Sequence, residues 1–418
     1  MRPIPLHGPN SATPNPPRGW AVFTAAPHRM MFFAGVVQTA LIMLLWLTEL
    51  VMRAQLSTSL PLVVTSTWAH TFLMIYGFFP FFIFGFLLTV YPRWMGGPAV
   101  PAARYVSAFA LLAAGMVLFY AGLFISRTVL AVALMLQLAG WAVTLYALLA
   151  VYRQSRKHTL HERLLNLALA IGMLGVASFL AGVWFQTPFA FVLAREAGVW
   201  LFMLPVVFLV AYRMVPFFSQ SVLIDYIMVR PVWGPPLILL CVVAHVLLEL
   251  SGLPAWRFLA DAPLALAALH HSWVWQFRRS FHARLLAMLH IAFLWLAIAM
   301  TLYTVQSALL LVTGVDYLGR APLHALGIGF FTGMVVAMAS RVTLGHSGRA
   351  LEADNPTWAV LLGVNIAAVL RILAEFSSGS IAGMLNALAA AIWLVSFLLW
   401  IWLYAPMVLR PRLDRQAG

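Results

Sequence analysis

Cysteine, lysine and carboxylates are close to missing from this chain, and each shortage removes a class of explanation. A single cysteine, Cys241, stands among 418 residues. No internal disulfide, Cys-x-x-Cys-His haem attachment or thiolate cluster can therefore form, and any haem must be held non-covalently. Lysine occurs once, as Lys157, among 25 basic residues, and only 11 side chains are acidic. Long loops are lacking too: none exceeds about twenty residues, which leaves no room for an extramembrane cytochrome, cupredoxin or nucleotide-binding domain. The two halves show no convincing repeat, the usual trace of a secondary transporter.

What is present is apolar. The chain is 63% hydrophobic and 9% charged with a mean hydropathy of +0.95, which a soluble domain of this length would not tolerate. Apolar stretches fall at residues 29–52, 68–91, 104–126, 128–152, 161–186, 195–217, 231–250, 255–276, 283–313, 320–345, 356–376 and 380–407. Each is long enough to cross about 30 Å of hydrocarbon as a helix. The net charge of +14 would point to nucleic acid if it formed one patch, but it is spread over alternate loops. One set of loops holds six basic residues, Arg53, Arg127, Arg195, Arg257, Arg320 and Arg371; the other set and the tails hold the remaining 19. This positive-inside bias places both termini in the cytoplasm. The expected fold class is an all-α integral membrane protein of about twelve transmembrane helices in one bundle. A disordered Pro-rich tail (1–27) precedes the polytopic domain (28–408), and a basic tail (409–418) follows it. The expected surroundings are a lipid bilayer, with no nucleic-acid partner.

Histidine is the conspicuous polar residue, 12 copies against 11 acids. His70 and His324 open their spans at the non-cytoplasmic face and His245 lies near it, one layer suited to a cofactor. His28 and His346 sit at the cytoplasmic face, with His270, His271 and His290 a turn or two inside it, a second layer suited to a metal. His324 and His346 are about 33 Å apart on one helix and cannot share a site. Any one such imidazole can be no more than an interhelical hydrogen bond. Six or seven in two layers, with few carboxylates to pair with, point to metal or haem ligation. His7, His158, His161 and His282 fall in tails or loops and read as solvated. His70, Met74, Gly77 and Phe81 share one face of an ideal helix, room for a macrocycle. Gly329 and Gly333 read equally as a helix-packing pair or a cofactor groove. Arg371 is spaced to pair with Glu375 or to hold a haem propionate, and Asp261 to cap its helix or handle protons. Pro205 should kink the sixth span.

Several segments together resemble the NnrS family of bacterial membrane proteins. The most specific runs from Pro322-Leu-His324-Ala-Leu-Gly to Ala339-Ser-Arg341-Val-Thr-Leu-Gly-His346-Ser-Gly-Arg349. Supporting matches are Ala26-Pro27-His28-Arg29, Trp68-Ala69-His70 with Tyr91-Pro-Arg93-Trp94, Tyr212-Arg213-Met-Val-Pro216, and Leu289-His290. One departure stands out. Where many members read Trp-His-Ala-His-Glu-Met, this chain has Thr67-Trp68-Ala69-His70-Thr71-Phe72. The resemblance implies a protein of the bacterial inner membrane, containing non-covalent haem b and copper and tied to the nitric oxide response. Its histidines fall at His28, His70, His270, His271, His290, His324 and His346. The expected activity is an oxidoreductase of nitric oxide reductase type, with haem and a second metal and with electrons from quinol. The alternatives are a metal or haem transporter and a nitric oxide sensor without turnover.

Overall fold

The computed structural model describes residues 19–155 and 158–413. Most of the expected Pro-rich tail, Arg156 and Lys157 of the basic loop, and the last five residues lie outside the described residues. After a short helical turn, Trp20–Phe23, the described residues form twelve main helices. They are α1 (Pro27–Leu56), α2 (Ser66–Met95), α3 (Ala102–Ile125), α4 (Arg127–Gln154), α5 (Leu160–Phe185) and α6 (Pro188–Val222). The second half comprises α7 (Gly234–Leu250), α8 (Phe258–Val274), α9 (Arg284–Thr313), α10 (Ala321–Ser347), α11 (Asn355–Glu375) and α12 (Gly379–Leu409). Ten of these are long and apolar enough to cross a membrane, while α7 and α8, at 17 residues each, reach about 26 Å. The chain is a multi-pass, all-α membrane protein.

Local signals set the helix ends. Asp354 accepts a hydrogen bond from the Thr357 amide at 2.9 Å and starts α11, and Gly348, at φ 75°, stops α10 in a left-handed conformation closed to most side chains. Short turns then fold consecutive helices into antiparallel neighbours: α3 on α4, α8 on α9, α11 on α12. The last helix packs on the first. Arg29, buried at the start of α1, donates to the carbonyls of Val408 (2.9 Å) and Arg410 (2.9 and 3.0 Å), which holds both ends of the described chain at one face. We call this the proximal face and the other the distal face.

Four helices form the centre. The most apolar stretches of α2, α6, α9 and α10 are 72–83% buried, against 33–39% for α3, α11 and α12. Three of these four contain wide π-type turns, at Leu73–Phe78 in α2, Ala197–Met203 in α6 and Ala325–Thr332 in α10. A further one, Met52–Leu56, ends α1. Each such turn takes in about one extra residue and rotates the remainder of its helix by about 100°. The face expected on α2 is corrected for this reason. His70 and Met74 stay together, but Gly77 turns toward Met116 of α3, and Phe79 takes the place expected for Phe81. In α6 the wide turn ends two residues before Pro205, the proline expected to kink that span, and a loosened turn suits a ring that cannot donate.

The tenth helix settles the two readings of its glycines. A Cβ on Gly329 would strike the indole of Trp295, and one on Gly333 would sit 3.1 Å from Ala292, so both glycines let α10 pack on α9. Trp295 cannot easily yield, because its Nε1–H donates to Asn365 Oδ1 at 2.6 Å. Gly329→Ala is therefore expected to lower the thermal unfolding midpoint of detergent-solubilised protein, with a cost of about 1–3 kcal/mol from overpacking. An unchanged midpoint would show that the two helices separate more readily than this contact implies.

Candidate cofactor site

Between α1, α2, α6, α10 and α12, in the distal half, lies a cavity of about 410 Å³. His324 reaches its wall from the first turn of α10, where Pro322 starts the helix. Its Nδ1–H donates to the Arg320 carbonyl at 2.9 Å, and since a carbonyl only accepts, the lone pair must lie on Nε2. A carbonyl bond at one ring nitrogen is how proteins orient an imidazole that ligates through the other. His70, on α2, lies on the same cavity, its ring stacked on Trp46 at 4.1 Å with 17° between planes. The buried Nδ1 of His70 has no hydrogen-bond partner.

The walls are apolar, with Met74, Phe79, Ile328, Phe331 and Trp393 among them. Gly327 opens directly onto the space: nothing lies within 4 Å of where its Cβ would be. At the rim stand four arginines, Arg53, Arg195, Arg320 and Arg371. Arg53 pairs with Glu49 (2.6 Å), Arg195 with Glu196 (2.5 Å) and Arg371 with Glu375 (2.5 Å). Arg320 has no carboxylate partner for its side chain among the described residues, which leaves the rim cationic. All four wide turns contribute to the lining, through Arg53, then Met74 and Ile75, then Val199 and Met203, then Gly327, Ile328, Phe331 and Thr332.

These residues fit a haem. A lone pair on an oriented imidazole, a second imidazole with an unsatisfied nitrogen, a glycine gap and aromatic walls suit the iron and macrocycle, and guanidiniums suit two propionates. Residues 22–412 match the family model described as NnrS protein. The chain belongs to the NnrS family. No curated protein matches it. The match to the NnrS model takes in every helix and thus the whole cavity.

The remaining described histidines of this NnrS chain stand apart from the cavity. His245, expected in the same layer, is not among the lining residues; it lies on Trp200, with ring centres 3.6 Å apart, and its Nδ1 bonds Asp261 at 2.6 Å. Asp261 thus serves His245 and does not cap α8. At the proximal face the rings of His28 and His346 pack at 4.4 Å, joining α1 to α10. His271 donates through Nδ1 to Ala267 O (2.7 Å), and its buried Nε2, left without a partner, faces Gly234. His270 lies next to it against Trp233. The Ser219 hydroxyl gives its proton to Val215 O, so His290 must donate to Ser219 through Nε2, at 3.1 Å. Among the described residues no three His, Cys, Asp or Glu side chains converge on a metal position. The single inner site expected from sequence is thus divided into the His28–His346 pair and separately partnered His271 and His290. His161, read as a loop residue, lies in the first turn of α5 and donates to Leu209 O at 2.9 Å.

Three rim arginines, Arg53, Arg195 and Arg320, and the Trp46 platform were not singled out from sequence. A signal for the arginines existed, because four of the six basic residues on the charge-poor side line this cavity. Gly327→Leu should retain the parent's helix content and monodispersity while co-purifying with less than half its haem. Full haem in that variant would place the cofactor elsewhere.

Proposed function

We propose that this chain holds a haem in the distal cavity and binds nitric oxide there, as part of the nitric oxide response to which its family is linked. The observation that carries the reading is the convergence, on one apolar cavity, of His324 with its free Nε2, His70 and four arginines. His324 would hold the iron through Nε2, its tautomer and direction fixed by the Arg320 carbonyl. His70 is the second imidazole, held by stacking alone. Arg320 and Arg371 would be the leading propionate holders, the first because its side chain has no carboxylate partner among the described residues and the second because it lines the cavity together with His70 and His324. The apolar walls keep water from the reacting position, which favours a small neutral gas over water as ligand. Bound there, a ferrous haem would supply an iron position at which nitric oxide coordinates.

Turnover requires electrons, and in a chain with no covalent haem and no soluble redox domain a membrane quinol is the donor its surroundings offer. Copper, where present, is best placed at the His28–His346 pair, two imidazoles from different helices at the proximal face and far from the haem. The consumption proposed is a reduction in the haem cavity, in which two molecules of nitric oxide and one quinol would give nitrous oxide, water and quinone.

Optical spectra of the purified, dithionite-reduced protein, with and without nitric oxide, test this directly. Expected are a Soret band that shifts on adding the gas and steady consumption of the gas under excess reductant. His324→Ala should lose most of the haem, whereas His70→Ala should keep more haem with an altered spectrum. Haem-free protein that supports metal uptake in vesicles would replace this reading with transport, and binding without consumption would replace catalysis with sensing.

A further inference from the structure

A second, smaller cavity lies directly beyond the first. Its volume is about 50 Å³, and it is lined by side chains of α1, α2, α6 and α10, none of which presents a polar atom to it. All four of these helices also border the large cavity, and on α2, α6 and α10 the positions succeed one another by about one turn, whereas on α1 Phe32 lies about three turns from Met43. On α2, Phe79 of the large cavity is followed by Phe82 and Ile83 of the small one; on α6, Met203 by Val206 and Val207; on α10, Phe331 and Thr332 by Met334 and Val335. One turn is about 5 Å along the axis. Phe79 and Phe331, which line the large cavity, stand on the turns next to the small one's lining, with ring centres 6.0 Å apart and planes at 78°.

The small cavity lies among buried side chains. All of its lining residues are buried, Leu87 completely and Val210, at 9%, the most exposed. It is large enough for one water by volume, since about 10–15 Å³ suffices, but a water needs two to four polar partners and the lining offers none. Water there would forfeit its hydrogen bonds, and lipid chains and quinone rings are too large. What fits by size and by chemistry is a single small apolar molecule, a diatomic gas or a xenon atom. Nothing in the proposed haem site requires this space.

We infer that the small cavity is a gas-holding chamber on the axis of the bundle, and that the Phe79–Phe331 pair is the partition through which it exchanges with the large cavity. The chamber itself stands on its lining alone; its service to a haem rests on the proposed haem site. The chamber would hold apolar gas close to the cavity while withholding water and protons, which need polar partners to pass.

Xenon tests the chamber without reference to haem. Purified protein in nanodiscs is equilibrated with xenon, and binding is read by xenon magnetic resonance and by density in a xenon-pressurised structure. The parent should show one bound atom in contact with Val207 and Val335. Val207→Phe, which fills the space, should abolish it, and the milder Val335→Leu should weaken it several-fold; monodispersity and helix content confirm that each variant folds. In haem-loaded protein both variants should also slow rebinding of carbon monoxide after flash photolysis, by at least threefold, with unchanged haem content. No xenon in the folded parent would overturn the chamber. Xenon bound and displaced as expected, with unaltered rebinding, would overturn the exchange with the large cavity and leave a closed void. Protein that binds xenon but contains no haem would sustain the chamber, defeat the haem reading, and remove any role for the chamber in serving it.

Discussion

Inside hydrocarbon every backbone N–H and C=O must find a partner within the protein, because no water is there to supply one. A bundle therefore cannot make room for a cofactor by unravelling a helix. This chain meets the constraint with wide turns. At Leu73–Phe78, Ala197–Met203 and Ala325–Thr332 the helix continues, its backbone still internally bonded, while its diameter and facing change. Those three segments, together with the one that ends α1, all border the 410 Å³ cavity. Wide turns of this kind are rare and gather at functional sites. Here their physical use is plain: they displace side chains sideways and leave space where a regular helix would fill it.

Much of the architecture can be read from composition because the membrane makes one rule dominate. Twelve apolar stretches became twelve helices in the expected order, with α7 and α8 the shortest. Antiparallel packing of α8 on α9 came from the short Phe277–His282 connection. Two of the outer-layer candidates, His70 and His324, meet one cavity and Arg371 joins them, whereas His245, placed at the same depth, does not. Register was not legible. A period of 3.6 residues put Gly77 and Phe81 beside His70, and the wide turn at Leu73–Phe78 put Phe79 there in their place; no residue in that segment announces the change. The glycines of α10 show the same limit. Gly327, Gly329 and Gly333 look alike in sequence, yet one opens on a cavity and two receive a neighbouring helix, a difference decided by the placement of Trp295 and Ala292.

Charge carried more information than orientation. Counting arginines by side assigns them as topological signals, yet the charge-poor side would be poorer still without Arg53, Arg195, Arg320 and Arg371. Basic residues retained against the positive-inside tendency need another reason, and the cavity rim supplies one. The histidines teach the opposite lesson. His245, His271 and His290 have the burial expected of ligands, but each is engaged by a specific partner, Asp261, the Ala267 carbonyl and Ser219 respectively. Depth places an imidazole; only its hydrogen bonds say which nitrogen is left to do chemistry. By that criterion His271 and His324 alike commit Nδ1 to a carbonyl and keep Nε2 free, but His271 faces Gly234 whereas His324 lines a cavity, which makes His324 the stronger ligand candidate.

The central claim is that one cavity, between His70 and His324, holds a haem. A cryo-electron microscopy map of the protein purified from its native membrane, without added cofactor, addresses it most directly. Planar macrocycle density is expected in the distal cavity, continuous with the His324 imidazole at Nε2 and with its two carboxylates among Arg53, Arg195, Arg320 and Arg371. A map with lipid or no density in that cavity, and a haem bound to other histidines, would contradict it.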